Sequence, residues 1–146
     1  MNKHKKVQVV ILKGQQILLF KTNKQRGSFW QNVTGSVEGT ESFLPAAKRE
    51  VREETGLINL DFKQLPPIFT FRDRWGLDVL EKTFIARIKD ENPVIKIDSR
   101  EHDEFSWHES KTILPKNYHY ASNYQTFLAA LNFLQEQEQE QEKEQT

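Results

Sequence analysis

The strongest constraint on the fold is a stretch that predicts one helix with two different sides. Glu50, Glu53 and Glu54 lie at positions i, i+3 and i+4, so a helix presents all three carboxylates on one side. A second side carries apolar residues at the same spacing, namely Leu44, Ala47 and Val51. Such a helix docks on an apolar layer with one side and presents dense negative charge on the other.

The sequence also predicts where this helix begins and ends. Ser42 can cap its first turn, and Pro45 is tolerated because it lies in that turn. Gly56 provides a stop directly after Thr55. We therefore predict a helix that begins near Ser42 and ends near Thr55.

The three glutamates need an explanation, because like charges at this spacing repel by a few tenths of a kcal/mol per pair. One explanation is a solvated acidic surface, which is common on helices. The other is a hard cation held among the carboxylate oxygens, and Mg²⁺ prefers such ligands. The three residues alone do not decide between these explanations.

The residues around the glutamates form a longer fixed pattern that runs from Gly35 to Leu57. It reads G, five residues, E, seven residues, R-E, apolar, any, E-E, any, G, apolar. From average residue usage, a chance match is on the order of one in a billion per starting point. The segment resembles the signature of the Nudix hydrolases, so we expect a Nudix fold and metal-assisted hydrolysis of a phosphoanhydride bond.

The resemblance implies a Mg²⁺ site, with Mn²⁺ chemically able to substitute. Glu50 and Glu54 would be the principal metal ligands, and Glu53 a ligand or the base that activates water. Gly35 would offer its backbone carbonyl to the metal. The metal would neutralise phosphate charge and lower the pKa of bound water.

Two further residues of the pattern are implied to be structural. Glu41 and Arg49 would shape the site, and Arg49 would orient the carboxylates through a bidentate ion pair.

Three flanking segments, 29–38, 101–107 and 122–125, are similar to bacterial dihydroneopterin triphosphate pyrophosphatases, which also hydrolyse dATP. This resemblance implies release of pyrophosphate from dihydroneopterin triphosphate in folate synthesis. The alternative is a house-cleaning nucleotide or dinucleoside polyphosphate hydrolase. Glu101 would be a further metal ligand or catalytic carboxylate, His102 a hydrogen-bonding neighbour, and Thr34 a substrate contact.

Other substrate contacts are candidates by residue type. Lys24 and Arg26 precede the glutamate-rich pattern and could reach a triphosphate. Arg72 and Arg74 could bind phosphate, although their place in a turn favours plain surface arginines. Tyr120 could stack on the substrate ring. Further aromatic candidates are Phe29, Trp30 and Trp75.

The rest of the chain predicts an α+β domain, a mixed and mostly antiparallel β-sheet sandwiched by helices. Predicted strands span residues 7–12, 17–21, 29–34, 68–71, 79–88 and 104–107. A second helix is predicted from the spacing of apolar residues between Tyr120 and Leu134. We expect a Nudix domain over residues 1–134 and a polar tail over residues 135–146, either frayed helix or disordered.

Composition excludes several classes of protein. Lys plus Arg and Asp plus Glu both number 21, so the net charge of zero does not favour a nucleic-acid partner. The chain has no cysteine, which excludes disulfides and thiolate metal sites. Its apolar runs are too short for a membrane span, so we expect a cytoplasmic enzyme acting on a small molecule. The sequence does not indicate an oligomeric state.

Overall fold

The computed structural model describes residues 4–145, which form seven strands and two helices. The strands are β1 (His4–Lys13), β2 (Gln16–Thr22), β3 (Trp30–Gln31), β4 (Val33–Ser36), β5 (Leu60–Arg72), β6 (Asp78–Ile88) and β7 (His102–Glu109). The helices are α1 (Phe43–Thr55) and α2 (Ala121–Gln145).

β1 is the centre of one mixed sheet. It pairs in parallel with β6 on one side and antiparallel with β2 and β4 on the other. β2 also pairs with β3 and β7, and β5 pairs with β6, all antiparallel. Among the strand pairs of residues 4–145, β1 with β6 is thus the only parallel one, which confirms the predicted mixed, mostly antiparallel sheet.

The alternation of side chains along β1 builds two cores, one on each face of the sheet. Val7, Val9 and Ile11 pack in one core with residues of α1. Val10 and Leu12 pack in the other core with residues of α2. Because neighbouring residues of a strand point to opposite faces, the two helices lie on opposite sides of the sheet. The predicted helix–sheet–helix layering is confirmed.

Two strand predictions were wrong in detail. The strand predicted over 29–34 is split at Asn32, whose backbone N–H donates to the side chain of Asn123 at 2.8 Å instead of continuing a ladder. β5 begins at Leu60 and not near residue 68. The two prolines at 66 and 67 lack amide hydrogens, so the sequence reads as if no strand passed through them. β5 nevertheless continues across them, and its pairing with β6 shifts in register between Gln64 and Ile68.

α2 continues without a break through the predicted tail, so residues 135–145 are helical and not disordered. Its link to the sheet includes a hydrogen bond from Gln15 Nε2 to Glu138 Oε1 at 3.0 Å. None of the helices within residues 4–145 is long and apolar enough to cross a bilayer.

Candidate metal and phosphate site

α1 begins and ends where the sequence predicts. Gly56 adopts a left-handed conformation, and its N–H bonds to the carbonyl of Arg52 at 2.8 Å. Ser42 holds the N-cap position, but its side chain makes no capping hydrogen bond. Leu44, predicted on the docking side, is 40% exposed, while Ala46 is buried in its place. The helix therefore contacts the sheet through a slightly rotated face.

This rotation gives the three glutamates different environments. Glu50 and Glu54 are 8% and 3% exposed, whereas half of the Glu53 side chain faces solvent. Burial raises the pKa of Glu50, and the ion pair with Arg49 opposes this shift. Two of the three carboxylates are thus withdrawn from water, which is unlike a solvated acidic surface.

Arg49 connects the carboxylates around it. Its Nε lies 3.2 Å from both oxygens of Glu41, and its Nη2 donates to Glu41 Oε1 at 2.7 Å. Its Nη1 donates to Glu50 at 2.9 Å and to Glu53 at 3.2 Å. Nη2 also donates to the carbonyl of Ser36 at 2.7 Å, which ties the helix to β4. The geometry is that of a clamp that fixes three carboxylates at once.

Gly35 lies directly against Glu50. A Cβ atom built at Gly35 would overlap the carboxyl group of Glu50, so a larger residue does not fit without moving that side chain. The backbone of β4 and the acidic side of α1 are in closest approach here. The predicted backbone ligand and a predicted carboxylate ligand are therefore adjacent.

Glu101 comes from the loop before β7 and meets Glu54. The pKa of Glu54 is held well above its usual range, first by burial and then by the hydrogen bond and negative charge of Glu101. Glu54 Oε2 is buried and has no hydrogen-bond partner among the described residues. Ligand atoms of Glu54, Glu101 and His102 all lie within 4.8 Å of one another.

The loop before β3 supplies positive charge beside this pair. Arg26 Nη2 lies 3.3 Å from Glu101 Oε1. Asn23 holds the two loops together, since its N–H bonds to the carbonyl of Glu101 and its amide to that of Arg100. Lys24 is exposed in the same short turn. The structure thus brings Arg26 to the carboxylates and places Lys24 nearby.

The remaining predicted cations make contacts elsewhere. Arg72 pairs with Asp78 at 3.4 Å, and Arg74 stacks on the ring of Trp75 at 4.4 Å. The turn that carries Arg74 is linked to β4 indirectly, through Asp73, His4 and the hydroxyl of Ser36. Neither arginine contacts a carboxylate of α1 in the described structure.

Thr34 lies in β4 beside Gly35 and pairs with Gln8 of β1. Since neighbouring residues point to opposite faces and Gly35 faces Glu50, Thr34 faces the α2 side of the sheet. The structure therefore separates Thr34 from the carboxylates by the thickness of the sheet.

Tyr120 belongs to an aromatic group that precedes α2. The Phe29 ring stacks on His119 at 4.3 Å, and Tyr120 meets both rings edge-on. His119 and Tyr120 are exposed. His119 was missed in the sequence, although the run Tyr118-His119-Tyr120 is a visible signal. The group adjoins the Arg26 loop, because Thr22 pairs with His102 and bonds to the backbone of Phe29.

These residues fit a divalent cation. The site offers carboxylate oxygens from α1 and from the loop before β7, one of them buried and unpaired. Burial and the neighbouring Glu101 raise the pKa of Glu54, and a cation among these oxygens would offset both effects. A cation with phosphate oxygens and positively charged side chains at its edge is the arrangement for phosphoryl chemistry.

The chain is similar in sequence to known proteins. The profile of the NUDIX domain matches residues 2–130. Octanoyltransferase of Myxococcus xanthus is 30% identical over 118 residues, which are 75% of this chain and 32% of that protein. The chain thus spans about a third of the length of that relative.

Solved structures share the fold. The E. coli dihydroneopterin triphosphate pyrophosphohydrolase superposes with a TM-score of 0.71 and 24% identity, covering 84% of this chain and 91% of that one. The C. elegans Ap4A hydrolase superposes with a TM-score of 0.75 and is 20% identical, covering 90% of this chain and 97% of that one. A NUDIX hydrolase from Listeria monocytogenes superposes with a TM-score of 0.79 and is 19% identical, covering 90% of this chain and 94% of that one.

The domain profile covers most of the chain. The chain therefore belongs to the Nudix family, whose members generally use divalent metals.

Proposed function

We propose that the protein is a Mg²⁺-dependent pyrophosphohydrolase of dihydroneopterin triphosphate, with dATP and other nucleoside triphosphates as side substrates. The products are the monophosphate and pyrophosphate. The observation that carries the proposal is the carboxylate cluster with Arg26 at its edge and an exposed aromatic group beside that arginine. Similarity in fold to the E. coli dihydroneopterin triphosphate pyrophosphohydrolase supports the choice of substrate.

Glu50, Glu54 and Glu101 would hold Mg²⁺, with the carbonyl of Gly35 as a backbone ligand. When bound, the ion supplies charge neutralisation at the phosphates and makes water more acidic. Mn²⁺ would serve as a substitute. Arg49 keeps Glu50 in place and remains charged itself, because its bonds to Glu41 raise its pKa.

Glu53 accepts the proton of the attacking water in this mechanism, with Glu101 as the other candidate base. The half-exposed Glu53 side chain is open to solvent, and its carboxylate accepts a hydrogen bond from Arg49 at 3.2 Å. Oxygen of water bonds to phosphorus, the phosphoanhydride bond breaks, and pyrophosphate departs with the bonding electron pair. Glu41 acts only through Arg49.

Arg26 and Lys24 bind the triphosphate, the former after exchanging its contact with Glu101 for phosphate oxygens. Arg72 and Arg74 contribute only if the turn between β5 and β6 moves toward the site. Tyr120, with His119 and Phe29, stacks on the pterin or purine ring. Thr34 contacts the part of the substrate that reaches the α2 side of the sheet.

The test is release of pyrophosphate and phosphate by the purified protein with Mg²⁺. Dihydroneopterin triphosphate, dATP, GTP and diadenosine tetraphosphate are compared under identical conditions. We expect kcat/KM to be highest for the pterin, with pyrophosphate as product. Turnover led by ordinary nucleotides would remove the folate role, and turnover of diadenosine tetraphosphate alone would favour a dinucleoside polyphosphate hydrolase. A role in folate synthesis and cytoplasmic residence follow from the proposed substrate and stay predictions with it.

A further inference from the structure

His102 is a buried imidazole whose two nitrogens have different surroundings. The residue is 1% exposed, and its ring lies 5.3 Å from that of Phe20. Nε2 lies 3.4 Å from the amide nitrogen of Gln31. Nδ1 is buried without a hydrogen-bond partner among the described residues. Buried polar atoms are nearly always paired, so this nitrogen requires an explanation.

A second unpaired atom lies in the same cluster. Glu54 Oε2 is buried and also lacks a partner within residues 4–145. Atoms of Glu54, Glu101 and His102 that can bind a metal lie within 4.8 Å of one another. Ligands that stand about 2.0–2.2 Å from one ion are at most about 4.4 Å apart, so the separations in this cluster are close to those around a shared ion.

The state of the ring suits a ligand. Nδ1 is the ring nitrogen that has no hydrogen-bond partner among the described residues, and an imidazole nitrogen without a proton can offer its lone pair to a metal ion. The amide of Gln31 fits equally well after a half turn, which places its carbonyl oxygen against Nε2–H and leaves the lone pair on Nδ1. Metal-bound histidines characteristically donate their other N–H to an oxygen in this way.

We propose that His102 Nδ1 is a nitrogen ligand of a divalent cation held jointly with Glu54 and Glu101, so that this position binds Mn²⁺ more tightly than Mg²⁺. The roles of Glu54 and Glu101 as metal ligands rest on the proposed function. The nitrogen ligand is new, because the sequence predicted His102 only as a hydrogen-bonding neighbour of Glu101. Imidazole favours first-row transition ions, while Mg²⁺ prefers an all-oxygen shell.

The experiment uses Mn²⁺ as the probe and needs no substrate. Electron spin-echo modulation of the Mn²⁺-loaded protein should contain a ¹⁴N frequency that changes to ¹⁵N when only the histidines are ¹⁵N-labelled. His102→Gln should remove that frequency and weaken Mn²⁺ binding by about 10-fold or more. Calorimetric titrations of the same variant should show a smaller loss of affinity for Mg²⁺ than for Mn²⁺. The ratio of Mn²⁺ affinity to Mg²⁺ affinity should therefore be lower in the variant than in the wild type.

His108→Gln is the matched control. His108 lies in the same strand and also has a buried ring nitrogen, Nε2, without a partner among the described residues, but it faces Trp30 and is outside the cluster. This variant should keep the nitrogen frequency and the Mn²⁺ affinity.

Absence of the nitrogen frequency in the wild-type protein would overturn the inference, and this measurement does not depend on the folding of any variant. Persistence of the frequency in His102→Gln would overturn it as well. Nitrogen coordination in a protein that cleaves none of the four substrates would instead overturn the proposed function and leave the ligand assignment standing.

Discussion

The chain carries two sets of glutamates on helices, one on α1 and one at the end of α2. The two sets differ in their burial and in their arrangement around the helix. Glu50, Glu53 and Glu54 share one side of α1, and two of them are buried. Glu140, Glu142 and Glu144 follow one another at every second position of α2 and are exposed. A step of two residues turns a helix by about 200°, so these side chains spread around it.

The difference teaches that the number of carboxylates does not make a site. On α1 the charges are fixed by Arg49, pressed against the backbone at Gly35 and joined by Glu101 from another loop. On α2 the glutamates make exposed contacts, such as the hydrogen bond that Glu138 accepts from Gln15. Burial and fixed partners are what prepare a carboxylate for a cation.

The largest effect is expected from Glu54→Gln. The substitution keeps the shape of the side chain but removes a charged ligand, so kcat with Mg²⁺ should fall by roughly three orders of magnitude. Steady-state pyrophosphate release measures it, and circular dichroism checks the fold. Turnover near the wild-type level would contradict the assignment of Glu54 as a ligand.

A smaller but clear effect is expected from Gly35→Ala. The added methyl group would overlap the Glu50 carboxyl and displace it, and a displacement of about 1 Å can reduce turnover by about 100-fold. Gly39→Ala is the control, because a Cβ there meets open space although its φ of +52° is strained. The control should lose stability but keep kcat, and equal losses of kcat in both variants would argue against the contact.

Glu81→Gln tests what burial alone does to a carboxylate, because Glu81 is not among the proposed metal ligands. Burial raises the pKa of Glu81, while Gln8 donates to it at 3.0 Å. The folded protein therefore holds this proton more tightly than the unfolded chain, so stability falls as pH rises from the ordinary value of 4.5 through the raised pKa. In urea unfolding between pH 4 and 8, the variant should lose less stability than the wild type. Parallel curves for the two proteins would show that Glu81 does not contribute.

The smallest effect is expected from replacing Glu140, Glu142 and Glu144 together by glutamine. The three side chains are exposed, so kcat should remain within about two-fold and stability within about 0.5 kcal/mol per site. Pyrophosphate release and thermal unfolding measure these quantities. A large loss of turnover would show that the end of α2 takes part in function, and would contradict the predicted domain boundary at residue 134.

Much of the architecture was predictable because it depends on local chemistry. Gly56 ends α1, the alternation of β1 separates two cores, and the glutamate spacing selects one side of a helix. The length of β5 was not predictable, because two prolines interrupt the local pattern while pairing with β6 continues beyond them. The sequence left the end of α2 open between frayed helix and disorder, since its polar residues offer no apolar side.

The sequence by itself determined the family pattern, the carboxylates of α1 and the chemistry that oxygen ligands support. Only the tertiary structure decided which glutamates are buried and that Glu101 and His102 meet Glu54. It also decided that Arg26 pairs with Glu101 of this cluster, whereas Arg72 pairs with Asp78 outside it. The physical reason is that helix spacing is a property of neighbouring residues. The environment of a charge depends instead on segments about fifty residues away, which only the folded sheet brings together.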